Sequence, residues 1–227
     1  MNLDAFREAI MLLPTGLVLT AGLTIVPLLV AFIVSLPLAL VRTAKGTLSS
    51  SIVLGYTYIF RGTPLMVQLF LIYYGLGQLA LVRNSFLWPV FREPLWCALI
   101  AFTLNSAAHT TEIFRGGFLA VPKGPIEAAK ALGLTRLQTL CFVTYPLMIR
   151  TVFPAYINEV IGMLKATSVA STITILEVTG LSRQLVSATF APYEVFVVAG
   201  AIYLATTLSI TWLARAIERG LSPIVRH

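Results

Sequence analysis

Long apolar runs are the feature that most constrains how this chain can fold. A helix needs about 20 mostly apolar residues to cross a bilayer, because unpaired backbone groups cannot face lipid. Five segments meet this requirement, at about 13–41, 64–82, 95–114, 153–173 and 193–213. Of the 227 residues, 58% are hydrophobic and only 11% are charged. The sequence therefore predicts an all-α integral membrane protein with about five transmembrane helices in a single domain, 1–227.

Three local features qualify this prediction. Pro27 and Pro37 fall inside the first run, so a tilt or kink is expected there. The polar stretch SSSIVLGYTYIFRGT, which precedes the second span, predicts a short interfacial helix. The third span becomes polar at NSAAHTTE, and we expect that end to be buried in protein rather than lipid.

Basic residues are distributed unevenly between the two sides of these spans. If the amino terminus is outside, eleven of the sixteen lysines and arginines lie inside, four lie outside and Lys165 falls within a span. Because short cytoplasmic loops carry an excess of Lys and Arg, the amino terminus is predicted outside and the carboxyl terminus in the cytoplasm. The largest cytoplasmic loop is then the one at about 115–150.

The sequence lacks the residue patterns that several other functions require. The net charge is +7, but the basic residues are scattered singly, which argues against nucleic-acid binding. Cys97 and Cys141 are isolated, which argues against a disulfide framework or a zinc site. The chain has two histidines and neither an HExxH motif, a nucleophile elbow nor a phosphate-binding loop. We expect neither an enzyme nor a cofactor or metal bound by this chain.

The loop contains IEAAKALGLTRLQTLCFVTYP, at 126–146, which is rich in helix formers. Pro125 suits the first turn of a helix, and 126 to about 140 should be helical. Gly133 within it permits either close backbone approach or a break between two short helices. Periodicity alone fits an amphipathic connector on the membrane surface equally well.

The spacing in this loop resembles the EAA loop of permease subunits in bacterial ATP-binding-cassette importers. That pattern is EAA, three residues, Gly, nine residues, Ile, one residue and Leu-Pro. The residues that match it are Glu127, Ala128, Ala129, Gly133 and Pro146, while Val143 replaces Ile and Tyr145 replaces Leu. YIFRGTPLMVQLFLIYYGL is similar to the RGTP segment of polar amino acid permeases. LNSAAHTTEIFRGG and FPAYINEVIGMLKATS resemble the branch that imports histidine, lysine, arginine, ornithine, octopine and nopaline.

The resemblance implies a type I importer permease fold, similar to MetI, in the bacterial inner membrane. It implies that the loop helix fits a groove on a separate ATPase subunit, which uses ATP and Mg²⁺. The implied complex has two ATPases, a periplasmic solute-binding protein and two permease chains, generally two different ones.

Glu159 and Lys165 are the charged residues of the fourth predicted span. A charge at mid-bilayer costs about 2.5 to 3.5 kcal/mol, so such residues are functional candidates. A separation of six residues points the side chains about 120° apart, with about 9 Å of rise. They are better placed to hold two ends of a ligand than each other. The alternative is that they neutralise each other or partners on neighbouring helices, or that Lys165 snorkels.

A long basic amino acid would offer its side-chain cation to Glu159 and its α-carboxylate to Lys165. The basic-amino-acid branch also has an acidic residue at the position that matches Glu159. Further candidates for lining the pocket are polar residues of spans three and four, for which interhelical hydrogen bonding is the alternative. They include Asn105, Ser106, Asn158 and Ser168.

A secondary transporter is the alternative function, because it too would keep ionisable groups at mid-membrane. Inverted repeats would support it. Five spans do not divide into equal halves, and the sequence contains no visible internal similarity.

Overall fold

The structure is a computed structural model that describes residues 2–44 and 46–221, nearly all of them helical and none in a strand. Lys45 and Arg226, two of the basic residues that predict the orientation, lie outside the described residues. The α-helices, in chain order, are α1 (Leu3–Leu12), α2 (Leu17–Thr43), α3 (Leu48–Gly62), α4 (Leu65–Phe70), α5 (Ala80–Arg83), α6 (Trp88–Phe91), α7 (Pro94–Ala120), α8 (Lys123–Ala131), α9 (Arg136–Thr139), α10 (Tyr145–Ala166), α11 (Val178–Thr189) and α12 (Pro192–Leu221). Short 3₁₀ or π turns at Leu13–Gly16, Leu71–Gly75, Leu76–Gln78, Leu140–Thr144 and Thr167–Ile173 join several of them.

The helical structure that contains the first predicted span begins earlier than predicted. Helical structure extends over Leu3–Thr43, whereas the sequence predicts a start near 13. Asn2 caps α1, since its Oδ1 accepts a hydrogen bond from the Ala5 amide at 3.2 Å. Both Pro27 and Pro37 lie inside α2, as the sequence predicts.

The second predicted span is part of a sharply bent pair of helices. The polar stretch before it forms α3, and the following segment Leu65–Gln78 leaves it at an angle of 105°. Its helical structure ends at Gln78 instead of continuing to Val82 as predicted, and Leu79 is extended. The bend lies at Thr63 and Pro64.

α7 is the central helix. It packs against α2, α10, α3 and α4, and its 27 residues extend about 40 Å. Ser106, Thr110 and Thr111, in its polar half, are fully buried. This confirms that the NSAAHTTE end of the predicted third span is covered by protein.

Three described helical segments are long and apolar enough to cross a membrane, or four if the bent pair is one span. They are Leu3–Thr43, Arg136–Ile173 and Pro192–Gly220. α7, which contains the predicted third span, has the length of a span, but half of it is polar. That half is buried against neighbouring helices. The fourth and fifth predicted spans begin within helices that start earlier, α10 at Tyr145 and α12 at Pro192.

A buried carboxylate organises the segment between α10 and α12. Glu177 is fully buried and caps α11, accepting hydrogen bonds from the amides of Gly180 at 2.8 Å and Thr179 at 3.0 Å. Tyr203 of α12 donates its hydroxyl to the same carboxylate at 2.7 Å. Glu177 thus fixes α11 to α12, a role that its sequence context does not indicate.

Candidate functional site

The loop between α7 and α10 is built from two short helices with a break between them. α8 and α9 replace the helix predicted from 126 to about 140. Gly133 has a φ of +78°, and a Cβ built on it would meet nothing within 4 Å. Of the two roles that the sequence allows for this glycine, the structure therefore has the break and not a close backbone approach.

The second short helix has a defined start. Thr135 and Gln138 form a capping box, in which the backbone N–H of Gln138 donates to Thr135 Oγ1 at 3.3 Å. The Thr135 amide donates in return to Gln138 Oε1 at 2.9 Å. Two reciprocal bonds at the first turn fix where α9 begins.

The EAA residues mostly face outward. Glu127 and Ala128 are exposed on α8, Ala129 is buried at 4% exposure, and Gly133 and Pro146 are exposed. Two large apolar side chains accompany them, Leu132 at 80% and Leu137 at 69% exposure. Leucines this exposed, close together on one loop, indicate a surface that another protein can cover.

An open cleft of about 440 Å³ lies between α8, α9 and the start of α10. It is lined by Ile126, Lys130, Leu134, Arg136, Thr139, Leu140 and Thr144. The Thr139 hydroxyl is buried, and the described residues offer it no hydrogen-bond partner. A buried polar atom normally has a partner, so this hydroxyl retains unused hydrogen-bonding capacity beside the cleft.

The Glu159 carboxylate lies at the contact between α10 and α7. Ser106 donates its hydroxyl to Glu159 Oε1 at 2.9 Å, and Ser106 itself is fully buried. Arg61, at the end of α3, acts electrostatically on this carboxylate. Among the described residues, no ion pair joins Glu159 to Lys165 or to any other cation. The carboxylate is therefore oriented by a neutral donor and retains acceptor capacity for a cation.

The other candidates lie in different surroundings. Lys165 and Asn158 are exposed on α10, and Ser168 donates its hydroxyl to the Lys165 carbonyl at 2.7 Å. Asn105 instead faces the bend after α3, where its amide donates to Phe60 O at 3.1 Å. Of the predicted pocket residues on α7, Ser106 contacts Glu159, whereas Asn105 makes an interhelical hydrogen bond, the alternative that the sequence left open.

An ion cluster joins three helices at the far end of α7. Glu112 pairs with Arg115 at 2.6 Å and with Arg42 of α2 at 3.2 Å. Thr57 of α3 also donates to this carboxylate, at 3.4 Å. The spacing of three residues reveals the first pair in the sequence, but nothing local could reveal Arg42, which is 70 residues away.

Residues 31–223 match the family described as binding-protein-dependent transport system inner membrane component. The chain belongs to this family. The nopaline transport system permease protein NocM of Agrobacterium fabrum is 47% identical to this family member over 225 residues, which are 99% of this chain and 92% of NocM. The arginine ABC transporter permease protein ArtM of Haemophilus influenzae is 40% identical over 214 residues, 94% of each chain.

Solved structures agree with the family assignment. An amino acid ABC transporter crystallised with histidines matches this inner membrane component with a TM-score of 0.84 at 30% identity, over 96% of this chain and 98% of that chain. The inward-facing MetNI methionine ABC transporter matches with a TM-score of 0.71 at 19% identity, over 90% and 93% of the two chains. The predicted fold, that of a MetI-like importer permease, is thereby confirmed.

Proposed function

We propose that this chain is the permease subunit of an ATP-driven importer for basic amino acids or opines. The candidate substrates are arginine, ornithine, lysine, histidine, octopine and nopaline. The observation that carries the proposal is the Glu159 carboxylate, which is oriented by Ser106 and has no cationic side chain bound to it among the described residues. The nopaline and arginine permeases among the relatives support the same class of substrate, because both compounds carry a guanidinium group.

In this proposal Glu159 binds the side-chain cation of the substrate as it crosses the membrane. An ionised carboxylate with a free oxygen can bind a guanidinium through two parallel hydrogen bonds. Lys165, further along α10, is proposed to attract the α-carboxylate, and its exposure leaves its ammonium group accessible. Asn158 and Ser168 are the proposed polar lining around these two charges, whereas the side-chain amide of Asn105, the third predicted lining residue, is engaged at the bend after α3.

The loop is proposed to be the contact with a separate ATPase. Glu127, Ala128, Ala129, Gly133 and Pro146 carry the EAA pattern, and all but Ala129 are exposed. The exposed Leu132 and Leu137 support a protein partner that covers this surface, since burial of apolar area drives association. ATP and Mg²⁺ would be bound by that partner.

The complete transporter is proposed to sit in the bacterial inner membrane as a multi-pass assembly. It would contain two ATPase subunits, this chain, a second and different permease chain, and a periplasmic solute-binding protein. The family description, which names dependence on a binding protein and an inner membrane component, supports the receptor and the location.

A competition experiment tests the substrate class. The complex is reconstituted in proteoliposomes with its ATPase and receptor, and uptake of radiolabelled arginine is measured with an excess of each unlabelled candidate. Basic amino acids and arginine-derived opines should compete, whereas leucine and glutamate should not, because neither offers a side-chain cation to Glu159. Equal competition by leucine would refute the proposed substrate class.

A further inference from the structure

The bend between α3 and α4 leaves one backbone carbonyl without its helical donor. In a continuous helix the Phe60 carbonyl would accept a hydrogen bond from residue 64, but Pro64 has no N–H. Two side-chain amides take its place. Gln68 Nε2 donates to Phe60 O at 2.8 Å, and Asn105 Nδ2 donates to the same oxygen at 3.1 Å. The carbonyl freed by the proline is therefore satisfied from α4 and from α7 together.

The two amides also bind each other and the residue at the corner. Asn105 Nδ2 donates to Gln68 Oε1 at 3.0 Å. Gln68 Nε2 also lies 3.0 Å from the Thr63 carbonyl and 2.8 Å from the Thr63 hydroxyl. Gln68 is buried at 6% exposure, so water is not available to replace these bonds. We call Gln68 and Asn105 the amide clamp.

Three consecutive residues of α7 join the clamp to the Glu159 carboxylate. The Leu104 carbonyl accepts a hydrogen bond from the Tyr56 hydroxyl of α3 at 2.6 Å. Asn105 belongs to the clamp, and Ser106 donates to Glu159 of α10 at 2.9 Å. One short segment of α7 thus holds α3, the bend and α10 at the same level.

The bend also carries the positive charge of Arg61, which lies beside the residue that the clamp holds. Arg61 directly follows Phe60, the residue whose carbonyl the clamp holds, and its positive charge acts on Glu159. A shift of the bend would therefore move a cation relative to the carboxylate. Such a shift would alter the electrostatic environment of any substrate cation bound there.

We propose that Gln68 and Asn105 are positioning residues for transport, which fix the α3–α4 bend against α7 so that Arg61 and Glu159 keep a constant relative placement. Neither residue need touch the substrate. This inference rests on the proposed function of Glu159 for its effect on import, but the geometry of the bend can be measured without any substrate.

The test uses Gln68→Met and Asn105→Leu, which preserve side-chain size and remove the amides. The matched control is Ser35→Ala. Ser35 is fully buried and donates to Ala107 O at 3.0 Å, so this substitution removes another interhelical hydrogen bond to α7, beside the same segment. In the assembled complex, spin labels at the exposed positions Val67 of α4 and Thr151 of α10 report the distance between these helices, with exposed Cys141 replaced by Ser.

Both clamp variants should broaden the distance distribution, whereas Ser35→Ala should leave it narrow. They should also raise the arginine concentration for half-maximal ATPase stimulation by about fivefold, the order expected for one lost neutral hydrogen bond, with the maximal rate unchanged. Because the two amides act as one unit, the double variant should be no worse than the more affected single variant.

The proposal is overturned if both clamp variants match Ser35→Ala in distance distribution and in half-saturation. A narrow distance distribution in the clamp variants overturns it even if their activity falls. If arginine does not stimulate the wild-type complex at all, the proposed function fails, while the distance measurement still decides whether the clamp fixes the bend.

Discussion

Substitution of Glu159 by Gln tests the proposed recognition of a cationic substrate. The change removes the negative charge and keeps the size of the side chain. The amide oxygen can still accept the Ser106 hydroxyl, which lies 2.9 Å from the carboxylate in the structure, so folding and assembly should be preserved. What is lost is the charge-assisted hydrogen bonding to the substrate cation.

The size of the expected change in arginine affinity follows from the loss of this charge-assisted hydrogen bonding. A hydrogen bond to a charged group contributes about 1.5 to 3 kcal/mol, and each 1.4 kcal/mol is a factor of ten in affinity. Since no ion pair joins Glu159 to another cation among the described residues, the lost hydrogen bonding should fall mainly on the substrate. We therefore expect the half-saturating concentration of arginine to rise by about 10-fold to about 150-fold.

The assay is arginine-stimulated ATP hydrolysis by the purified complex, with uptake into proteoliposomes measured in parallel. Glu8→Gln is the matched control, because Glu8 is exposed on α1 and lies outside the proposed path. The basal ATPase rate should be unchanged in both variants. If Glu159→Gln and Glu8→Gln give the same half-saturation as the wild type, Glu159 does not contact the substrate and the reasoning is wrong.

Two further predictions concern the loop and the buried carboxylate. Gly133→Ala places a side chain at a φ of +78°, at a cost of about 1 to 2 kcal/mol, and should weaken ATPase binding in pull-down assays without changing the arginine half-saturation. Gly124→Ala, in the same loop with free space and no positive φ, should be neutral, and an equal effect of both would contradict a conformational role for Gly133. Burial raises the pKa of the Glu177 carboxyl, so its contribution to stability is fully present below the ordinary pKa of about 4.3 and is lost as pH rises through the raised value. The unfolding midpoint of the wild type should therefore fall relative to that of Glu177→Gln as the pH rises above about 4.3, and parallel pH curves would contradict this.

Short-range signals in the sequence were sufficient for much of the loop and of α7. Gly133 marks the break between α8 and α9, because only a residue without a side chain adopts its positive φ at little cost. The polar end of the predicted third span is buried, since its polar groups bond to neighbouring helices, as Ser106 does to Glu159 and Glu112 does to Arg42.

Long-range partners could not be predicted in this way. Pro64 predicts a break, but the side-chain hydrogen bonds at the 105° bend come from Gln68 and from Asn105, which is 37 residues from Gln68. Glu177 lies between the fourth and fifth predicted spans, and its carboxylate accepts a hydrogen bond from Tyr203 of the next long helix. The extra turns before the predicted start at 13 contain charged residues, which hide the helix from a hydropathy criterion.

Three results of the sequence analysis stay predictions. They are the contact of the EAA residues with an ATPase, the orientation of the termini, and substrate binding by Lys165, Asn158 and Ser168. The described residues give their positions but not their partners.

The central claim is that ATP hydrolysis by a separate subunit drives uptake through this chain. The most direct measurement is accumulation of radiolabelled arginine in proteoliposomes that contain either the full complex or this chain alone. With receptor supplied outside, the account predicts accumulation by the full complex when ATP is enclosed with the ATPase subunits, and none by the chain alone under an imposed proton or sodium gradient. Gradient-driven accumulation by the chain alone would contradict the account and identify a secondary transporter.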